Sequence, residues 1–200
     1  MARFIEPVTL TGRSWVALEP MRTEHVPELR EAARDGELWS LWYTGVASPD
    51  SMQAYVDMAL KMREEQGAMP FVVRRKSDGR IVGSTRYFNL DEKNRRVEIG
   101  HTWYSRSVQR SGINTEAKLL LLTHAFEVLR CIAVEFRTHY FNFASREAIA
   151  RLGARQDGIL RNHQISPDGT LRDTVVFSII ESEWPAAKAN LVWLLSKPRN

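Results

Sequence analysis

The spacing of the apolar residues changes near Gly67, and this change constrains the fold more than any other feature. Before it, apolar residues recur at helical spacing in two stretches, one opened by Thr23 and one by Ser48-Pro49-Asp50. After it come three runs of strand-forming residues, at positions 71–74, 81–88 and 97–104. Only short polar turns separate them. The three runs are therefore predicted to form an antiparallel meander.

Helices and strands alternate after the meander. A loop over residues 105–114 precedes a helix from 115 to about 129, and an apolar strand follows at 132–136. A second helix opens at Asn142 and stops at Gly153. Two strands, near 159–164 and 174–180, flank Pro167-Asp168-Gly169, and a terminal helix covers about 184–196. With a first strand at 14–18, the predicted class is α+β: a mostly antiparallel, mixed central sheet of about seven strands with helices on both faces.

Length and composition fit one globular domain over residues 1–200, since 44% of the residues are hydrophobic and 26% are charged. The lone Cys131 permits no internal disulfide and is interpreted as a small buried residue. The N-terminus lacks the apolar region of a signal peptide, and apolar runs such as 119–122 are too short to span a membrane. We therefore expect a cytoplasmic protein. The net charge of +4 suits either a polyanionic cofactor or nucleic acid.

The most informative segment is the loop and helix start Val-Gln-Arg-Ser-Gly-Ile-Asn-Thr-Glu-Ala, residues 108–117. The first N–H groups of a helix lack intrahelical partners and, with the helix dipole, form an anion site suited to a diphosphate. Gly112 permits close approach of the backbone and a positive φ, and Arg110 adds a cation. The alternative is an ordinary helix N-terminus after a solvated loop.

This run resembles the Q/R-x-x-G-x-G/A acetyl-CoA signature of GNAT acetyltransferases, with Gln109, Gly112 and Asn114 at the defining positions. It departs from the family at Asn114, where Gly or Ala is usual, although Asn tolerates left-handed backbone. Residues 142–154 resemble the N-x-x-S…L-G-[FA] helix of the same superfamily. The resemblance covers about residues 13–180 and is closest to the branch that contains the N-terminal acetyltransferases of ribosomal proteins.

The resemblance implies that the chain binds acetyl-CoA and assigns residues to it. The diphosphate would be held by the loop, comprising Gln109, Arg110, Ser111, Gly112, Ile113, Asn114 and Thr115. The pantetheine arm would pair with the backbone of Thr102, Trp103 and Tyr104, which a plain buried strand explains equally well. Asn142 would hold a pantetheine amide, or would simply cap its helix. Ile149 occupies the position of a common family tyrosine, so the thiolate would be protonated by Ser145, by water, or by no group.

The chemistry implied by the resemblance is direct attack of an amine on the thioester in a ternary complex. Glu98 is the candidate base. Its alternative is an outward-facing strand carboxylate paired with Arg86 or Arg96. Glu116 is interpreted as complementing the helix dipole. The family places the acceptor pocket near Trp39, Trp42 and Tyr43, which are equally typical of core residues.

The expected function is therefore acetylation of a primary amine, on a protein N-terminus or a small molecule. One alternative is a catalytically weak acyl-CoA-binding protein of the same fold. Another is a basic RNA-associated module, which the dispersed Arg and Lys residues disfavour. The five histidines show no ligand spacing, so no metal is expected, although His101 and His139 could approach the site as bases. The expected partners are acetyl-CoA and the acceptor, with a homodimer left open and no membrane.

Overall fold

The computed structural model describes residues 4–166 and 168–197. The first three residues, on which the N-terminal interpretation partly rests, lie outside this part, as does Pro167 of the predicted last turn. The described residues form one sheet of eight strands in the order β1-β2-β3-β4-β5-β6-β8-β7. The strands are β1 Leu10–Thr11, β2 Val16–Pro20, β3 Met69–Arg75, β4 Ile81–Asp91, β5 Arg96–Tyr104, β6 Ala133–His139, β7 Arg155–Ile165 and β8 Leu171–Ile180. The helices are α1 Val26–Arg34, α2 Met52–Gln66, α3 Ile113–Thr123, α4 Phe143–Ala150 and α5 Trp184–Ser196.

The sheet confirms the predicted α+β class. Neighbouring strands are antiparallel except for β5 and β6, which are parallel, so the sheet is mixed and mostly antiparallel. The eighth strand is β1, whose two residues are too few to show any alternation. The helix predicted from residue 115 begins at Ile113, because the hydroxyl of Ser111 accepts the Ile113 N–H and closes the loop earlier. A π-helical turn, His124–Val128, extends it.

Helices cover both faces of the sheet, as predicted. On one face α1 and α2 pack against the sheet, with Leu29, Val56 and Trp103 in the shared core. On the other face α3 and α5 pack against the sheet, with Leu121 and Leu191 in a larger core. Each helix buries one apolar stripe, so a sheet between two helical layers satisfies all of them.

The sheet divides where its two parallel strands separate. Residues 96–98 of β5 pair with residues 133–135 of β6, and the ladder then ends. Beyond this point β5 continues to Tyr104 on β4, whereas β6 continues to His139 on β8. The strands therefore diverge and leave a cleft, open at their C-terminal ends. This cleft is bordered by α3, which follows β5, and α4, which follows β6.

Candidate active site

The cleft exposes backbone groups in the middle of a sheet. Past Glu98, no described residue of β6 pairs with the edge of β5 that carries Thr102, Trp103 and Tyr104. Unpaired backbone groups at a strand edge can bind an extended ligand as an additional strand. The Trp103 and Tyr104 side chains are buried in the cores on opposite faces. The interpretation as a plain buried strand is thus right for these side chains. It leaves backbone groups on the edge that faces β6 for a ligand, although Tyr104 O already accepts a hydrogen bond from the Gln109 amide.

A β-bulge lies inside the cleft. The β4–β5 register shifts between Ser84 and Arg86, and His101 adopts a left-handed backbone with φ of 48°. A bulge re-aims backbone groups, and a non-glycine residue held at positive φ is typical of functional sites. Neither the bulge nor its strain was predicted, because the run 97–104 reads as an uninterrupted strand.

Lys118, which the sequence analysis missed, lies beneath the bulge. Its Nζ donates to Thr102 Oγ1 at 2.8 Å and to Thr85 Oγ1 at 3.2 Å, and the two hydroxyl oxygens are 2.8 Å apart. The side chain is buried, and desolvation lowers the pKa of its ammonium to about 7. The one available signal was a lysine within the apolar run that leads to residue 122. Lys118 therefore joins α3 to the bulge of β5.

The N-terminus of α3 opens beside the cleft. Glu116 N–H is bonded to Gly112 O, and the earlier N–H groups of the helix lack such intrahelical partners. Gly112 does not adopt a positive φ; its φ is −72°, and φ is positive instead at Arg110. A Cβ on Gly112 would lie 2.4 Å from the indole ring of Trp15, so packing is what requires glycine here.

The remaining loop residues surround this helix start. Arg110 is exposed, and the Gln109 amide donates to Tyr104 O at 3.2 Å, tying the loop to the end of β5. Arg151, at the end of α4, lies with its Nη2 3.4 Å from Thr115 Oγ1 and adds a second cation that sequence reasoning missed. Free N–H groups, the helix dipole and two arginines suit a diphosphate. The residues present therefore fit the phosphate end of acetyl-CoA.

Glu116 has a different role from the one predicted. Its carboxylate accepts the N–H groups of Ser14, Trp15 and Val16 at 2.9, 2.6 and 2.8 Å. Backbone donors from a distant segment thus hold this buried carboxylate, in addition to any interaction with the dipole of α3. Residues 100 positions apart in sequence make the contact, so no local pattern predicted it.

Asn142 caps α4, as its alternative interpretation held. Its Oδ1 accepts the Ser145 N–H at 3.0 Å, and no described residue accepts a hydrogen bond from its Nδ2. The cap uses only one end of the amide, so a ligand can still be bound by the other. The Ser145 side chain is half-buried on the same turn, whereas Ile149 is buried in the core.

Glu98 lies where β5 and β6 separate. Only 4% of its surface is exposed, and its Oε2 accepts from Asn89 Nδ2 at 2.8 Å and lies 3.4 Å from Arg137 Nε. Burial raises the pKa of this carboxyl, while the Asn89 hydrogen bond and the Arg137 charge oppose the shift. A carboxylate with a raised pKa in a cleft is typical of a general base.

The alternative interpretation of Glu98 is wrong in both position and partners. Its carboxylate is buried and does not point outward, and its charged partner is Arg137. Arg96 binds Glu135, which also binds Arg137 at 3.0 Å. Arg86 is fully buried and forms no ion pair with any described carboxylate.

Two of the three predicted acceptor residues reach the cleft. Trp42 packs edge-on against His139 at a ring distance of 5.0 Å, and Tyr43 lies 6.3 Å from the same ring. Trp39 instead packs against the core formed by α1 and α2, so for this residue the core interpretation is right. His139 ends β6 and His101 lies at the bulge of β5, so the two histidines stand on opposite arms of the cleft.

Two negative findings concern the described residues only. No helix among them is both long and apolar enough to cross a membrane. Within the same part of the chain, no three His, Cys, Asp or Glu side chains are grouped so that they could hold a metal ion.

Comparison with known proteins supplies relatives for this arrangement. The family described as "Acetyltransferase (GNAT) domain" matches residues 16–155. "Putative ribosomal N-acetyltransferase YdaF" of Bacillus subtilis (strain 168) is 33% identical over 111 residues, which are 56% of this chain and 60% of that protein. The matched part is thus three-fifths of that relative's length.

Solved structures show the same fold. A GCN5-related N-acetyltransferase from Brucella melitensis is 31% identical with a TM-score of 0.85, over 96% of this chain and 87% of the other. RimJ of Mycobacterium smegmatis, solved in complex with CoA-disulfide, is 24% identical with a TM-score of 0.79 over 97% of each chain. At that identity the second likeness concerns the fold.

Proposed function

Because this chain belongs to the GNAT acetyltransferase family, we propose that it transfers the acetyl group of acetyl-CoA to a primary amine. The observation that carries the proposal is the divergence of β5 from β6 beside the N-terminus of α3, with buried Glu98 where they separate. A diphosphate site, an unpaired strand edge and a candidate base thereby lie along one cleft.

We assign the cofactor to this cleft from end to end. The N–H groups at the start of α3, with Arg110 and Arg151, would hold the diphosphate. The edge of β5 at residues 102–104 would pair with the pantetheine amides, and the Asn142 amide nitrogen would bind from the other side. Acetyl-CoA supplies the activated acetyl group, and the protein supplies position and electrostatics.

The amine must lose a proton before it attacks the thioester carbonyl. Glu98, with its raised pKa, would accept that proton directly or through water. A backbone N–H near the bulge, at Trp103 or Tyr104, would stabilise the oxyanion. The attack forms the C–N bond, and collapse of the tetrahedral intermediate breaks the C–S bond and releases the CoA thiolate.

Ser145 is the proposed hydrogen-bond donor to this thiolate, which water then protonates, since Ser145 shares the first turn of α4 with Asn142 and Ile149 is buried in the core. CoA thiolate is a tolerable leaving group, so help from one hydrogen bond is a modest effect. Ser145→Ala is expected to lower kcat about 10-fold, with little change in acetyl-CoA affinity. Unchanged turnover in steady-state kinetics would exclude this role of Ser145.

The acceptor class rests on similarity. The name of the Bacillus relative and the ribosomal branch of the resemblance favour a protein N-terminus, and small-molecule amines are the alternative. A catalytically weak acyl-CoA-binding protein of the same fold is the second candidate function, favoured by the absence of a tyrosine at 149.

Calorimetry and a thiol-release assay test the proposal together. We expect acetyl-CoA to bind with 1:1 stoichiometry and single-stranded RNA to give no specific heat. N-terminal peptides and small amines are then screened for CoA thiol release. Acetyl-CoA binding without release of CoA thiol in the presence of any amine would favour the catalytically weak acyl-CoA-binding protein. RNA binding without acetyl-CoA binding would overturn both functions.

A further inference from the structure

On β8, beside the candidate active site, lies an arginine that has no ion pair with any described residue. Arg172 lies two residues before Thr174, which pairs directly with His139. Side chains two apart on a strand share a face, so Arg172 lies on the same face of the sheet as His139. Its charge lowers the pKa values of Glu98, His101 and His139, which come from both arms of the cleft. Arg172 therefore lies on the face of β8 next to His139, close enough for its charge to act on both arms of the cleft.

Among the described residues, this guanidinium has no direct ion-pair partner, and Glu98 acts on it only through its charge. Arg172 forms no ion pair with any described residue, and its Nε is buried with no hydrogen-bond acceptor. Withdrawing a charge from water is costly unless an opposite charge and hydrogen bonds replace the water. The neighbouring Arg161 contrasts with it, since Arg161 binds Asp173 at 2.6 Å.

The carboxylates nearby are already engaged. Glu98 is shared by Asn89 and Arg137, and Glu135 by Arg137 and Arg96. Arg86 is fully buried and has no anionic partner among the described residues. Its charge also lowers the pKa of His101. Around Glu98 and Glu135, the arginines 86, 96, 137 and 172 outnumber the two carboxylates. The third carboxylate near His139, Asp173, is bound by Arg161, so the cleft carries excess positive charge that would repel a purely cationic acceptor.

We propose that the acceptor carries a carboxylate close to its reactive amine, and that Arg172 binds this carboxylate. The inference rests on the proposed function. Guanidinium and carboxylate match in a bidentate geometry, which fixes orientation as well as affinity. A carboxylate held by Arg172 would leave the amine facing Glu98, flanked by Trp42 and Tyr43. The same positive field favours the neutral amine, which is the form that attacks.

Matched acceptor pairs test the proposal. Each pair differs only by carboxylate against amide: the peptides Ser-Asp-Ala and Ser-Asn-Ala, both amidated at the C-terminus, and β-alanine with β-alaninamide. The first pair represents an acidic protein N-terminus and the second a small amino acid. We expect kcat/KM for the carboxylate member of at least one pair to exceed its amide partner about 10- to 100-fold, as for a charged hydrogen bond.

Variants of Arg172 identify the group responsible. Arg172→Gln is expected to lower kcat/KM of the carboxylate member more than that of its amide, so that the two values become similar. Arg172→Lys should retain part of the preference. Arg161→Gln, on the adjacent strand, is the control and should leave the preference intact. Equal turnover of both members by the native chain, or an equal loss for both in Arg172→Gln, would overturn the inference while amine acetylation stands. Acetyl-CoA binding with no thiol release from any probe would instead overturn the proposed function and this inference with it.

Discussion

At the scale of single residues, the arginines of the candidate site outnumber its carboxylates. Glu98 and Glu135 are neighbours across the parallel pair β5–β6, and Arg137 contacts both. Burial separates them chemically: the pKa of Glu98 is raised by desolvation, whereas that of Glu135 is lowered by its hydrogen bonds to Arg96 and Arg137, although desolvation opposes this shift. The raised pKa makes Glu98 the better proton acceptor of the two, and Glu135 is suited to remain charged.

Glu98→Gln is expected to reduce kcat/KM about 100- to 10,000-fold at neutral pH, with acetyl-CoA affinity unchanged. A base must be deprotonated to act, so the native rate should fall as pH drops through a pKa above 4.5. The variant's deficit should shrink at high pH, where the free amine needs no base. Steady-state kinetics from pH 5 to 10 measures both effects.

Glu135→Gln is the matched control, because it removes the other carboxylate bound by Arg137. Its rate at neutral pH should stay near the native value. The acid limb of its pH profile should move to lower pH, since the charge of Glu135 helps to raise the pKa of Glu98. Equal losses in the two variants would make Glu98 an ion-pair residue and not a base.

At the scale of elements, the start of α3 combines a proposed ligand site with a packing contact. Its N-terminus is open toward the proposed diphosphate, while its first turns are packed against β2. Glu116 and Gly112 both contact the segment that precedes or begins β2, the first through its carboxylate and the second by lacking a side chain beside Trp15. The position of the helix start is therefore fixed by packing.

Gly112→Ala is expected to destabilise the fold by about 1–3 kcal/mol, because its Cβ would overlap the Trp15 ring. Urea denaturation followed by tryptophan fluorescence measures the loss. Gly158→Ala is the control: Gly158 has no heavy atom near its Cβ position and no left-handed φ, so the change should be neutral or slightly stabilising. Equal stability of the two variants would contradict the packing argument.

At the scale of the whole molecule, the single sheet separates two hydrophobic cores and also contains the cleft. Its two apolar faces separate the α1–α2 core from the α3–α5 core, and the divergence of β5 from β6 opens a passage between its strands. Lys118 lies in the larger core without a carboxylate and links α3 to the bulge through Thr85 and Thr102. Its protonation state is thereby coupled to folding.

The native chain should become more stable relative to Lys118→Met as pH rises from 7 to 9. The pKa of Lys118 falls from 10.5 to about 7 on folding, so between these values the unfolded chain binds more protons than the folded one. The free energy of unfolding then increases with pH, by up to about 2 kcal/mol over this interval. The destabilisation caused by burying the Lys118 ammonium is fully present below pH 7.

Urea titrations at pH 7 and 9 compare the two chains, with Lys61→Met as the control, since Lys61 is exposed on α2. The control should follow the native pH dependence. A difference between native and Lys118→Met that stays constant with pH would mean that Lys118 is equally protonated in the folded and unfolded states.

The sequence alone determined the class, the strand and helix order and the family. The period of the apolar residues depends on which face of an element is buried. This period can be read from residues that are close in sequence. The loop at 109–115 and the helix opened by Asn142 carried the family signal because packing at Gly112 and helix capping at Asn142 restrict the residue type. Even the terminal helix was placed correctly, at Trp184–Ser196.

Only the tertiary structure decided which side chains meet. Glu98 is paired with Arg137, which lies on another strand. Lys118 binds Thr102 at the bulge, 16 residues away in sequence, and Arg172 lies on β8. Whether a charged residue is solvated, paired or left alone in a cleft depends on burial and on distant strands. Local patterns carry no such information. The candidate base could therefore be named from its place on a strand, whereas its electrostatic surroundings required the fold.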